Sequence, residues 1–485
     1  MVEEKFGYGD FLSPFTWRYG TPEMRNVFSE VNYRNLWRKI WVALAEAQAK
    51  YGLVTKKELA DLKSKAGRRH IDIMRAHEIE AEIRHDLMAE IRTYAEQCPV
   101  GGGKIHLGAT SMDIEDNADI LRMKQGLDII LTRLVNTLNS LTKQINKYKG
   151  MACMGWTHIQ PAEPTTVGYR FANYAQDIAS DIVCVEFLQK NIIRGKGVKG
   201  AVGTSASFER LLKRKGTPAA LEAEVMKKLG LSALPVSTQT YPRKLDYTIL
   251  SVLAGISQSA YKFALDIRHL QSPPIGEMSE PIKGAQVGSS AMPFKRNPIT
   301  SERICSLSRY VSALPSVAWS NAADSILERT LDDSANRRII IPESFLATDE
   351  CLWLYNYIVS GVRVYPTPIK KNLQKYGTFA GTEAVMMKLV ERGENRQEMH
   401  EKIRIISSRA WAKVLAGKEN PLLTLMKSDK VIRSKLSHRE ITQLMEPRTH
   451  TGDAKTRCEK FVREVAKPIL AKHKRRIGKK FEVKF

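Results

Sequence analysis

Cysteine is scarce in this 485-residue chain, and Cys98, Cys153, Cys184, Cys305, Cys351 and Cys458 form no Cys-x-x-Cys pair. That spacing argues against a zinc site and a disulfide framework, and it predicts free thiols. No apolar run approaches the roughly 18 residues that span a bilayer. The opening Met1-Val2-Glu3-Glu4-Lys5 has neither the basic nor the apolar stretch of a secretory leader. The expectation is a cytoplasmic protein with no membrane partner. Strand signals are few, limited to short runs such as Val362-Arg363-Val364-Tyr365 ahead of Pro366 and Pro368. Acidic residues are outnumbered, 52 against 76 Lys and Arg, for a net charge of +24.

That excess is uneven. Residues 455–485 hold twelve Lys/Arg against three Glu, which leaves +15 for the preceding 454 residues. A run such as Lys472-His473-Lys474-Arg475-Arg476 could attract nucleic acid, but a solvated helix end is the commoner use of such a run. Nucleic acid is therefore not expected as a partner, and the remaining positive charge suits a small polyanionic substrate equally well. Hydrophobic residues at 43% and charged residues at 26% describe an ordinary globular protein with a sizeable core.

Periodicity dominates the middle of the chain. Leu131, Leu134, Leu138, Leu141 and Ile145 recur at three or four residues, as do Val167, Phe171, Tyr174, Ile178, Ile182, Val185, Leu188 and Ile192. A third stretch, Leu245 to Leu270, carries Ile249, Leu253, Ile256, Ala260, Phe263 and Ile267 on one stripe. Helices of roughly 25 residues with broad apolar faces predict a long-helix bundle and further helices to cover it, including those of other subunits. The fold class is all-α, and length alone suggests about three units of roughly 150 residues. We expect an N-terminal helical domain over 1–111, a central long-helix bundle over 112–365 and a C-terminal helical domain with a basic tail over 366–485.

Two glycine-rich stretches invite nucleotide-binding readings that the context does not support. Gly101-Gly102-Gly103-Lys104 lacks the phosphate-loop spacing and is followed by Ile105. Gly195-Lys196-Gly197-Val198-Lys199-Gly200 fits Gly-x-Gly-x-x-Gly but follows a long amphipathic helix, not a strand, and reads as a flexible loop.

A third loop is more informative. Gly288-Ser289-Ser290-Ala291-Met292-Pro293-Phe294-Lys295-Arg296-Asn297-Pro298 combines hydroxyls, a cation and an amide donor between glycine and proline, a composition suited to holding an anion. It also reads as a helix start, with Asn297 as N-cap and Pro298 at the first helical position. The stretch resembles the signature of the fumarase/aspartase superfamily at every fixed position of Gly-Ser-Ser-x-Met-Pro-x-Lys-x-Asn-Pro, within a loop expected over 284–298. Five further fragments resemble one branch of that superfamily, the adenylosuccinate lyase family, in its order. They are Arg18 to Met24, Arg84 to Met88, His106 to Ser111, Gly155 to Ala162 and Glu328 to Arg338.

This resemblance implies a three-domain lyase whose central helices assemble into a tetrameric core, with active sites shared between subunits and no cofactor. It implies loss of fumarate from adenylosuccinate, giving AMP, and from the succinylocarboxamide ribotide SAICAR, giving AICAR. Elimination piles charge onto a carboxylate beside the carbon that loses a proton, so such a site needs a strong base, preorganised donors and an acid for the leaving nitrogen. By resemblance Ser289 is the base, His158 the acid, and Lys295 and Asn297 hold the carboxylate with Thr110, Ser111 and Thr157. Arg18, Tyr19, Arg329, Ser334 and Arg338 would grip phosphate and ribose, with Arg84, His85, Asp86, Gln239 and Arg303 as further substrate contacts. His85 competes with His158 for the acid's role on chemistry alone. The alternatives are another fumarate-releasing lyase such as argininosuccinate lyase, whose substrate lacks phosphate, and a non-catalytic polyanion-binding protein on the same scaffold.

Overall fold

In a computed structural model of the chain, residues 7, 9–282 and 288–478 are described. Five long helices, Ser111–Tyr148, Val167–Phe187, Lys244–Gln271, Ile299–Ala323 and Asp332–Gly361, pack side by side as the main body. At 1.5 Å per residue the first is about 57 Å long. Its predicted stripe is inside: Leu131, Leu134, Leu138, Leu141 and Ile145 are all buried, as are Ile249, Leu253, Ile256 and Phe263 across from it. The Phe263 and Tyr355 rings stack with centroids 4.1 Å apart at the centre.

The second predicted helix ends differently from its periodicity. After Phe187 the chain loosens into a π-helical turn, Leu188–Ile192, before leaving the bundle. Among the described residues no helix is both long and apolar enough to cross a membrane. All six cysteines are free, and only Cys184 is exposed.

Two short sheets interrupt the helices. Arg363–Val364, within the run read as a strand, pairs antiparallel with Met278–Ser279. The other sheet was not expected. Strands β1 (Ala152–Thr157) and β2 (Gln160–Thr166) form a hairpin, although β2 contains Pro161 and Pro164. With only one partner strand, Pro161 and Pro164 lose no ladder bond on their free side. A bulge lies between Met154 and Trp156, and a Cβ on Gly155 would sit 2.5 Å from the Glu163 carbonyl oxygen.

A separate small core, from Val385 to Met445, is built by Leu389, Met399, Ile403, Leu422 and Ile441. The described part of the basic end packs back against the bundle, with Lys472, Lys474 and Arg475 exposed as expected of a solvated helix end. Cys458, Val462 and Ala466 join the main core. His473 Nε2 lies 2.7 Å from Glu186 Oε1, and the Arg476 guanidinium reaches Thr132 Oγ1 (2.8 Å) and Asp128 Oδ1 (2.5 Å). Lys479 and Lys480 lie outside the described residues.

Candidate active site

The nucleotide-end candidates fall on a rigid frame. Arg18 and Tyr19 follow a single helical turn, Pro14–Trp17, and the Tyr19 ring lies between two guanidinium groups, Arg18 at 5.9 Å and Arg303 at 5.7 Å from its centroid. Consecutive carboxylates on the Asp332–Gly361 helix hold this turn. Glu350 accepts the Gly20 N–H (3.2 Å) and pairs with Arg303 (3.5 Å). Asp349 accepts from the Thr21 N–H (3.0 Å), the Thr21 hydroxyl (2.6 Å) and Arg133 Nε (2.8 Å). Gly20 is required here: its φ is +76°, and a Cβ would come within 2.7 Å of Leu346.

The same helix carries a second group at its start. Arg338 donates to Asp86 (2.6 Å), which opens the helix Asp86–Glu96, and Ser334 lies one turn before Arg338. His85 caps the Asp86 helix, its Nδ1 accepting the Met88 N–H at 3.4 Å, while Arg84 ends the preceding helix in the left-handed region at φ 55°. The Gln239 N–H donates to the Glu328 carbonyl (3.3 Å), which lays the 238–241 turn against Arg329, itself 3.7 Å from Asp333. Burial, opposed by Asp333, lowers the Arg329 pKa from its ordinary value.

Beneath these side chains runs a buried charge network that the sequence reading missed. Arg243 bonds Asp116 (3.0 Å) and Asp333 (2.5 Å), and Arg337 bonds Asp246 (2.7 Å), Asp119 (3.1 Å) and the Tyr241 hydroxyl (2.6 Å). Arg337 and Arg338 are adjacent in sequence, yet one faces the interior and the other the site. Nothing local distinguishes them.

Glu115 was also missed. It is 7% exposed, forms no hydrogen bond or ion pair with any described residue, and lies one helical turn past Ser111. Burial, reinforced by Asp86, Asp119 and Asp116 and opposed by Arg338, pushes its carboxyl up to about 8. Near neutral pH it is mostly a neutral acid.

His106 is a neighbouring special case. At φ 64° its Nδ1 accepts the Trp41 indole N–H (3.1 Å), and burial lowers the imidazole to about 4.

Among the catalytic-end candidates Lys295 and His158 are exposed and Ser289 and Asn297 half-buried, and the loop makes its own local bonds. Ser289 Oγ accepts the N–H groups of Met292 (3.1 Å) and Ala291 (3.4 Å). Asn297 donates its amide back to the Gly288 carbonyl (3.0 Å), closing the loop. A Cβ on Gly288 would fall 2.0 Å from the Lys295 carbonyl oxygen, so the close approach of the two loop arms needs glycine there.

The helix-start reading of Asn297 and Pro298 is corrected by this arrangement. The helix begins at Ile299, Pro298 occupies the cap position without a side-chain bond, and the capping oxygens come from elsewhere. Glu280, fully buried, accepts the N–H groups of Thr300 (3.1 Å) and Ser301 (2.9 Å) and the Ser301 hydroxyl (2.9 Å). Positions 284–287 of the expected loop lie outside the described residues.

His158 and Ile159 occupy the tip of the β1–β2 hairpin with φ 53° and 59°, the paired left-handed geometry of a two-residue type I′ turn. Thr157 is beside them at the end of β1, and all three are exposed. The His158 ring makes no hydrogen bond or ion pair with a described residue. Among the described residues, none joins Ser289, Lys295 or His158 to the nucleotide-end frame either.

The chain matches a family model described as "Lyase" over residues 17–312 and one described as "Adenylosuccinate lyase C-terminus" over 379–461. It is 40% identical to adenylosuccinate lyase of Saccharomyces cerevisiae over 462 residues, covering 94% of this chain and 95% of that one. Identity is 38% to the Schistosoma mansoni enzyme of that name, covering 96% and 97%, and 36% to that of Pyrococcus horikoshii, covering 94% and 98%. Similar solved folds include a fumarate lyase from Mesorhizobium sp. BNC1 (TM-score 0.81, 22% identity, 94% of this chain and 100% of that one). Another is the 3-carboxy-cis,cis-muconate lactonizing enzyme of Pseudomonas putida (TM-score 0.82, 22%, 96% and 100%).

Proposed function

The chain belongs to the adenylosuccinate lyase family, and from that premise we propose that it eliminates fumarate from adenylosuccinate to give AMP and from SAICAR to give AICAR. The observation that carries this reading is the near-full-length similarity to adenylosuccinate lyases in a chain that retains every polar group the elimination needs.

Ser289 removes the proton. Its hydroxyl already accepts two backbone N–H groups, and donors of that kind favour an alkoxide over a neutral hydroxyl. Lys295, Asn297, Thr110, Ser111 and Thr157 stabilise the charge that develops on the neighbouring carboxylate. His158 protonates the leaving nitrogen, a general-acid role that imidazole side chains commonly take. Arg18, Tyr19, Arg303, Arg329, Ser334 and Arg338 hold the nucleotide with Arg84, His85, Asp86 and Gln239, where a planar guanidinium fork matches a phosphate.

A site of this composition is completed by other copies of the chain in a homotetramer. The reading is supported by the exposure of His158, the partial exposure of Ser289 and the absence, among the described residues, of any bond between them. We read the chain as three helical units over 1–111, 112–365 and 366–485.

The deciding experiment is an absorbance assay for fumarate release with adenylosuccinate, argininosuccinate and aspartate in parallel. Turnover of adenylosuccinate alone is expected. Turnover of argininosuccinate instead would overturn the substrate assignment.

A further inference from the structure

The glycine-rich stretch Gly195–Gly200, which fits a dinucleotide pattern yet binds no nucleotide by its context, encloses a carboxylate of the chain itself. Asp113 is fully buried, and its two oxygens collect donors from two segments. Oδ1 accepts the Lys199 N–H (3.0 Å), and Oδ2 accepts the Gly200 N–H (3.1 Å) and the Thr110 N–H (2.9 Å). Lys196, also fully buried, adds its ammonium to Oδ1 and donates to the Gly200 carbonyl (3.2 Å). Gly197 and Gly200 have φ of +88° and +74°, the left-handed backbone that turns successive N–H groups inward to form an anion-binding concavity.

Neighbouring bonds fix this cradle from outside. Asn117 donates to the Gly197 carbonyl (3.0 Å) and accepts the Gly197 N–H (3.3 Å), while Glu222 accepts from the Val198 N–H (3.0 Å) and the Lys199 ammonium (2.6 Å). The loop is therefore not free, as its composition suggested. It is tied on both sides to a carboxylate two residues past Ser111.

We propose that Asp113, gripped by the Lys196–Gly200 cradle, is a positioning residue that sets the backbone of Thr110 and Ser111 for the carboxylate end of the substrate. The inference rests on the assignment of Thr110 and Ser111 to that end. The Thr110 N–H is held by one oxygen of Asp113 and the cradle by both, so the helix start and the loop share one anchor. Were the cradle merely a structural plug, its loss would weaken every ligand alike. A positioning role predicts a split: fumarate, assigned to Thr110, Ser111, Thr157 and the signature loop, should suffer, while AMP, held by the Arg18, Arg303 and Arg338 frame, should not.

The test measures inhibition of the forward reaction by fumarate and by AMP separately, in wild type, Asp113→Asn, Gly200→Ala and Ser111→Ala. Asp113→Asn keeps the size but presents amide hydrogens to the cradle donors. Gly200→Ala strains the cradle without touching the Ser111 helix, and serves if the first variant fails to fold. Asp113→Asn or Gly200→Ala should raise the fumarate Ki by about tenfold, the effect of roughly one charged hydrogen bond, and leave the AMP Ki within about twofold. Equal loss for both ligands would reduce Asp113 to a structural plug and overturn the proposal. No change in either Ki for folded Asp113→Asn and Gly200→Ala, with fumarate weakened by Ser111→Ala, would overturn it while leaving the site assignment standing. An unchanged fumarate Ki in Ser111→Ala would overturn the site assignment and the proposal together.

Discussion

The residues proposed to grip the nucleotide and those proposed to carry out the chemistry are held on opposite principles. Arg303 and Arg338 pair with the partly buried carboxylates of Glu350 and Asp86, Glu350 and Asp349 hold the Gly20–Thr21 backbone beside Arg18 and Tyr19, and a second tier of Arg243, Arg337, Asp116, Asp246 and Asp333 lies beneath. Among the described residues, the Ser289, Lys295 and His158 side chains make no bond to a carboxylate. They stand on a loop and a hairpin turn held together by their own backbone bonds. The residues proposed to hold the ligand are thus buttressed inside one chain, whereas those proposed for the chemistry lie at a loop and a turn.

The sharpest way to break this comparison is at the tips. Ser289→Ala and His158→Ala should each lower turnover by about 10³-fold or more, as expected for loss of a base or acid in the transition state, with an unchanged helical circular dichroism spectrum. Near-normal fumarate release by either variant would remove that residue from the chemistry. The frame should respond differently. Arg338→Ala leaves Asp86 exposed enough to be solvated, so stability should hardly change, while KM for adenylosuccinate should rise by about 10- to 100-fold through loss of a phosphate donor. A fall in kcat with unchanged KM would place Arg338 at the chemical end instead.

A titration separates the two regions further. The Glu115 carboxyl, surrounded by Asp86, Asp116, Asp119 and Arg338, titrates near 8 in the fold and near 4.3 when unfolded. Its contribution to stability is fully present below about pH 4.3 and is lost as pH rises through about 8. Glu115→Gln should therefore melt higher than wild type at pH 9 and show a smaller gap at pH 6, in thermal scans followed by circular dichroism. An equal gap at both pH values would mean the carboxyl is ionised throughout. The smallest effect on chemistry is expected from truncation after Lys467. The bonds of His473 to Glu186 and of Arg476 to Asp128 and Thr132 lie on the outside of the bundle, so turnover per site should be retained while the melting temperature falls. A large loss of turnover in a truncation that keeps its assembly would show the tail acting on the site.

Much of the fold was legible because long-helix burial is periodic. Leu131 to Ile145 and Ile249 to Ile267 could be read directly, since a 3.6-residue repeat leaves its mark on every turn. The β1–β2 hairpin was not legible. Its prolines argue against a strand in general, and only the absence of a second neighbour makes them harmless here. The same limit governs the site. Motifs offered candidates for the chemistry, but the Asp349 and Glu350 clamp, the Glu280 cap and the Asp113 cradle join positions 20 to more than 300 residues apart. A sequence pattern has no record of such meetings, so Asn297 looked like the local cap that Glu280 actually provides.

That Glu280 cap has a mechanical consequence. One arm of the signature segment leaves the fold at Glu280, and the other re-enters it at Thr300 and Ser301, which are bonded to the same carboxylate. Gln271 ties the base again, accepting the Glu280 N–H (3.1 Å) and donating to the Arg296 carbonyl (2.9 Å). The segment is a purse whose drawstring is already pulled. Most of the entropy of bringing its ends together is spent at folding and not at each turnover, and Ser289 sits within the smaller loop that Asn297 closes on Gly288. Adding or deleting a residue between 281 and 299 would change where the hydroxyl arrives without changing the hydroxyl.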